Sequence, residues 1–187
     1  MRVIMKFVTG VLASSILAVG TMASDVTRSD TIRAPKDQLY TAESHPEEYC
    51  MALNVYHESR SDNLAGQFAV ADVVLNRVRD RRWPDTVCGV IYDAKYSKWW
   101  KEKHNKLIPV RHKCQFSWYC DGKSDAVNDA QSWRRAQTVA YQIMNRELYR
   151  GITEGATHYH ATYVDPSWNK RFRTIGQIGA HIFYRAE

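Results

Sequence analysis

Apolar residues recur every three or four positions in three stretches of this chain, and each stretch predicts a helix. The first runs from Pro46 to about Ser59, with Met51, Leu53 and Val55 among its apolar positions. Proline fits a first helical turn, and Glu47 and Glu48 behind it suit a helix N-terminus. The second follows Ser61 or Asp62, either of which can cap it, and carries Leu64, Phe68, Ala71, Val74, Leu75 and Val78. The third starts near Asn128, presents Trp133, Ala136, Ala140, Ile143, Met144 and Leu148, and stops at Gly151. Period two shows in shorter pieces. "QFSWY" at 115–119 alternates like a strand before the turn "CDGKSD". "ATHYHATYV" and "AHIFYR" read as strands around an irregular "DPSWNKRFRTIGQIG". Pro84 breaks the chain ahead of a short apolar run ending at Tyr92, and residues 93–114 read as lysine-rich and irregular, with "WKEKHNK" a solvated loop. Helices, a small β region, a helix and then short strands predict a compact α+β domain.

Between the first two helices the apolar pattern breaks into "HESRSD". This places Glu58 at the C-terminal end of a helix and at the mouth of a turn. Burial there raises a carboxyl pKa, and the negative end of the helix dipole also disfavours the carboxylate. A carboxyl kept protonated near neutral pH is a proton donor, as glycosidic cleavage requires. A surface glutamate paired with Arg60 or a histidine would have the same spacing, so the position alone does not choose.

Composition narrows the setting. The first residues, "MRVIMKFVTGVLASSILAVGTMAS", join Arg2 and Lys6 to an apolar stretch from Phe7 to Ala18 and small residues at Thr21 and Ala23. That order predicts a cleaved secretory signal over 1–23, with a releasable membrane anchor as the rival. Residues 24–45 are polar and without period, a flexible leader, and the folded unit is expected to start near Pro46. Losing residues 1–23 takes two basic side chains and no acidic one, so the formal charge falls from +6 to +4. That modest excess suits an anionic polymer; "NKRFR" at 169–173 is too short a basic–aromatic run to predict nucleic-acid binding. Four cysteines, Cys50, Cys88, Cys114 and Cys120, behind a secretory signal predict two disulfides in one of three pairings.

Five ordered blocks carry a resemblance: "ALNVYHESRSDNLAGQFAVADVVLNRV", "WPDTVCGVIY", "CQFSWYCDG", "GATHYHATYVDPSW" and "IGAHIFYR". Together they resemble the SleB-type, or spore cortex-lytic, cell wall hydrolases over residues 46–187. The resemblance implies a small lysozyme-like, mainly helical domain with a short antiparallel β region. It also implies cleavage of peptidoglycan glycan strands by a lytic transglycosylase reaction that uses no metal or cofactor. Glu58 matches the family's catalytic glutamate, the first acid of a motif like E-A-R-G-E. Here "ESRSD" puts Ser59, Ser61 and Asp62 where the family often has Ala, Gly and Glu, which leaves Asp62 as either a helix cap or a substrate contact.

One acid suffices for a transglycosylase. A hydrolytic muramidase would need a second carboxylate, for which Asp62, Asp72, Asp121 and Asp125 are the candidates. The resemblance also turns "QFSWYCDG" toward the cleft, where Gln115 and Ser117 on one side of a strand would bind sugar hydroxyls or acetamides. In "THYHA", Tyr159 or His160 would hold the glycan or orient Glu58, the choice resting on strand register. The same segment supports a different chemistry: His158 and His160, joined by His57 or His181, could ligate zinc in an amidase that cuts the peptide stem. Asn76 and Arg77 read as packing and surface residues. The expected protein is an exported monomer of the periplasm or cell wall, acting on peptidoglycan without stable membrane insertion once its signal is removed.

Overall fold

A computed structural model describes residues 40–187; the expected signal over 1–23 and the leader up to residue 39 lie outside them. The packed chain begins before Pro46. Tyr40 is buried, and its carbonyl accepts a hydrogen bond of 3.1 Å from Gln137 Nε2. Helix α1 (Pro46–Ser59) is buried without interruption from Cys50 to Tyr56. That continuous burial, wider than a single stripe, marks it as the central helix. Helix α2 (Leu64–Arg79) is capped by Asn63, whose side chain accepts from Gly66 N at 2.9 Å. Asp62 is not the cap. It reaches the far end of the chain instead, accepting from Ala180 N at 3.0 Å and lying 3.3 Å from His181 Nδ1.

The short apolar run before Tyr92 is helix α3 (Val87–Ile91), capped by Thr86 through Gly89 N and tied to α1 by the disulfide Cys50–Cys88. The segment expected to be irregular is ordered. Strand β1 (Ala94–Tyr96) pairs antiparallel with β2 (Pro109–Cys114), and α4 (Lys98–His104) lies in the connection between them. The expected strand at 115–119 is a correction. Ser117–Cys120 is a 3-10 turn, curled by the second disulfide, Cys114–Cys120. The alternation survives as burial: Phe116, Trp118 and Cys120 are inside while Gln115 and Ser117 are exposed. Two cysteines six positions apart and bridged with their Cα atoms 6.2 Å apart cannot lie on an extended chain, so the period-two signal reports which side chains are buried and not a strand.

Helix α5 (Ala130–Asn145) starts at Asp129, whose carboxylate accepts from Gln131 N and Ser132 N, and ends six residues short of Gly151. Three antiparallel strands finish the fold: β3 (His158–Ala161), β4 (Arg173–Ile178) and β5 (His181–Arg185), in the order β3–β5–β4. β4 falls in the stretch read as irregular. The main core joins α1, α2, α3 and α5 with Phe116 and Trp118. A smaller one packs Phe183 of β5 and Ala156 on Ala69 and Val73 of α2. The fold is α+β, a helical body with a small sheet seated on α2. Among the described residues no helix is long and apolar enough to cross a membrane.

Asp72 fixes the connection from α5 to β3. Wholly buried in α2, it accepts from Gly151 N at 3.0 Å and Thr153 N at 3.1 Å and pairs with Arg150. Gly151 suits this turn because its φ of +82° lies where side chains are strained. Removing one partner of a buried ion pair leaves the other charge uncompensated. Asp72→Ala is therefore expected to lower unfolding free energy by about 3–5 kcal/mol in denaturant titration; a change within about 0.5 kcal/mol would contradict this role.

Candidate functional site

Glu58 sits in the last turn of α1, and the sheet reaches it through one side chain. Tyr159 Oη donates to Glu58 Oε2 at 2.9 Å. Strand pairing explains why this neighbour is Tyr159. In β3 the register Tyr159↔Phe183 turns both residues toward α2, while His158 and His160 face the other side of the sheet. The third member is Arg77, buried in the last turn of α2. Its Nε donates to the Thr157 carbonyl at 2.8 Å, and its guanidinium lies over Phe116 and Trp83 at 5.2 and 5.7 Å from the ring centres.

These groups set the protonation of the site. Burial pushes the Glu58 carboxyl above its ordinary 4.5, and the Tyr159 hydrogen bond and Arg77 charge pull against it without cancelling it. Burial and the adjacent Glu58 push the Tyr159 phenol well above its usual range, so it remains a donor. The result is a partly buried acid with one oxygen held and a cation nearby to receive its charge after proton loss. That arrangement is suited to a group that gives up a proton and takes one back.

The turn that carries Glu58 also borders an open cleft of about 420 Å³, whose walls include Tyr56, His57, Arg60, Trp118, Asp125 and Asn128. Glu58 is not itself one of the walls. His57 stacks on Trp118 with ring centres 4.6 Å apart, and Trp118 Nε1 donates to Asn54 Oδ1 at 3.1 Å. Burial raises the Asp125 carboxyl, and the nearby His57 opposes it.

The other expected residues are dispersed. Gln115 and Ser117 are exposed beside the β1–β2 pair, with Gln115 N donating to the Asp93 carbonyl at 2.9 Å. They do not share a strand face, because no strand forms there. His160 is buried on the outer face of the sheet. Its Nδ1 lies 2.9 Å from the Ala161 carbonyl and its Nε2 2.8 Å from Tyr184 Oη, so both nitrogens are engaged. His158 stacks on Phe172, and burial, with Arg77 and Arg82 behind it, brings its pKa down to about 4. His57 stacks on Trp118 and His181 lies against Asp62, so the four histidines do not converge on a common point. Among the described residues no three His, Cys, Asp or Glu side chains come together as metal ligands.

Arg77 is the site residue that sequence reasoning missed. The signal was present, since Arg77 continues the buried spacing of Val70, Val73 and Val74 along α2. A cation at a position where the periodicity asks for an apolar residue needs a partner, and here the Thr157 carbonyl accepts from its Nε while its charge acts on Glu58 and Tyr159.

Comparison with known proteins bears on this geometry. The model of the family described as Cell Wall Hydrolase matches residues 61–184, beginning three residues after Glu58. The spore cortex-lytic enzyme of Bacillus cereus is 51% identical over 45 residues, which is 24% of this chain and 17% of that protein. The spore cortex-lytic enzyme of Oceanobacillus iheyensis is 49% identical over 45 residues, covering 24% and 16%. The match therefore spans under a fifth of the length of these curated relatives. Two solved structures align more broadly. The catalytic domain of the Bacillus cereus SleB protein gives a TM-score of 0.52 at 26% identity, covering 81% of this chain and 95% of that one. The catalytic domain of the germination-specific lytic transglycosylase SleB from Bacillus anthracis gives 0.53 at 26% identity, covering 81% and 100%.

The site makes a sharp titration prediction. Tyr159→Phe removes a donor that favours the carboxylate, so the Glu58 midpoint should rise further above 4.5, followed by carbon NMR of labelled glutamate carboxyls. An unchanged or lower midpoint would mean that the hydrogen bond does not hold Glu58.

Proposed function

This chain belongs to the Cell Wall Hydrolase family, and we propose that it cleaves peptidoglycan glycan strands as a lytic transglycosylase with Glu58 as its single acid and base. The observation that carries the proposal is the Glu58–Tyr159 hydrogen bond within a site whose burial raises the carboxyl pKa and so favours the protonated form. The name of the aligned Bacillus anthracis protein, a germination-specific lytic transglycosylase, supports the reaction class.

With Oε2 held by Tyr159, Glu58 gives its proton to the bridging oxygen as the bond from the muramic anomeric carbon breaks. Arg77 and Tyr159 stabilise the carboxylate left behind. That carboxylate then takes the proton of the muramic C6 hydroxyl as its oxygen closes on the anomeric carbon. The product is a 1,6-anhydro ring, Glu58 is protonated again, and no water is consumed.

A hydrolase would need a second carboxylate about 5–9.5 Å from the first. Asp72 is committed to Arg150 and the following turn, Asp62 to the Ala180 turn, and Asp121 to Lys123. Asp125, which shares the cleft with His57, is the carboxylate that a hydrolytic route would use. Gln115 and Ser117 are exposed and open to sugar hydroxyls or acetamides. His160, with both nitrogens engaged, is left out of the glycan-binding set. The proposed protein is exported, loses residues 1–23, keeps a leader, and acts as a monomer through a catalytic domain over 46–187.

Glu58→Gln keeps the size of the side chain and removes the proton donor. Lysis of purified peptidoglycan should fall about 10²–10⁴-fold while co-sedimentation with the wall persists. The protonated acid is the working form, so the wild-type rate should decline as pH rises through a Glu58 midpoint above 4.5. Unchanged lysis in the variant would remove Glu58 from the mechanism.

A further inference from the structure

The charge of this chain is not spread evenly. Residues 95–113 contain Lys95, Lys98, Lys101, Lys103, Lys106, Arg111 and Lys113 against one acid, Glu102. Their balance equals the formal +6 of the whole chain, so the remainder is neutral. All seven cationic residues are exposed. The same segment contains four of the seven exposed large hydrophobic residues among the described part of the chain: Trp99, Trp100, Leu107 and Ile108. Trp99 is 55% exposed and Leu107 62%, and it is their clustering in one short segment, not the exposure of any one of them, that marks an interaction surface.

The local fold presents this composition outward. β1 and β2 form the stem, braced by Ser97 N donating to the Ile108 carbonyl at 2.9 Å and by the Cys114–Cys120 disulfide at its base. From Lys98 to Ile108 every residue is exposed, and α4 buries none of its own. A seven-residue helix without a packed face is marginal in water, and here capping by Ser97 and closure of the stem hold it. The two indoles pack edge-on at 4.8 Å, and both touch His104. Among the described residues, neither has an aromatic partner outside the flap. Tyr159 and Arg77, the groups around Glu58, come from β3 and α2, so the glutamate network leaves this flap unused.

We propose that the β1–α4–β2 flap docks the enzyme onto an anionic phospholipid surface. Lysines attract a negatively charged leaflet, and indole rings settle at the level of its headgroups. Leu107 and Ile108 decide between lipid and wall polymer. A hydrated polyanion would engage the lysines but gains little from aliphatic side chains, whereas the acyl boundary takes both. The attachment is interfacial and reversible, and it would hold a wall-cutting domain beside the membrane.

The test uses hydrogen–deuterium exchange of the full chain with vesicles of phosphatidylglycerol in phosphatidylcholine. Protection should appear over residues 95–113, be absent with phosphatidylcholine alone, and weaken as salt is raised. Local exchange separates the flap from any binding by the N-terminal apolar stretch. Lys98→Glu/Lys101→Glu should weaken this protection more than about tenfold, and Trp99→Ala/Trp100→Ala should also reduce it. Both variants should retain wild-type lysis of purified peptidoglycan. Running the exchange in the Glu58→Gln background separates docking from catalysis, since docking should survive there. No protection of the flap, equal protection on neutral vesicles, or protection by purified peptidoglycan without lipid would each overturn the proposal.

Discussion

The hydrogen bond from Tyr159 on the small sheet to Glu58 at the end of the central helix ties the sheet to the acid. Its existence constrains much of the fold. β3 must present Tyr159, and not either flanking histidine, toward α2, and that register is fixed by pairing with β5. The turn after α5 must deliver β3 at the right height, which Asp72 secures by binding Gly151 and Thr153. α2 carries both Asp72 and Arg77, so one helix anchors the approach of the sheet and supplies the cation beside the acid.

The energetics of the site rest on an imbalance. A hydrogen bond to a charged group is worth about 1.5–3 kcal/mol, and an unpaired buried charge costs several. Tyr159 and Arg77 therefore soften the burial of Glu58 without removing its preference for the proton. A site that fully compensated the carboxylate would hold a permanent anion, while one that offered nothing would make proton release too costly. Partial compensation suits a group that works in both directions during one turnover.

Much of this was readable from residue spacing. The three long helices, the turn after Glu58 and the α+β order follow from apolar periodicity, because each long helix buries a continuous surface. The flap and the strand at 173–178 did not follow, since α4 buries nothing and β4 contains Gly176 at a register shift. At 115–119 the alternation was real in burial but not in backbone, because the Cys114–Cys120 pairing that curls the chain is a property of the fold. The choice between Tyr159 and His160 needed the strand register, which no local pattern contains. Arg77 was visible as a charge on an apolar face, but the Thr157 carbonyl that accepts from it is 80 residues away in sequence and leaves no local signal.

The most direct measurement is mass spectrometry of the fragments that the protein releases from purified peptidoglycan, with the Glu58→Gln variant as the control. A single buried acid with no second carboxylate in service predicts glycan fragments ending in 1,6-anhydro-muramic acid, absent in the variant. Ordinary reducing muramic ends would contradict that account and bring Asp125 forward as a second carboxylate.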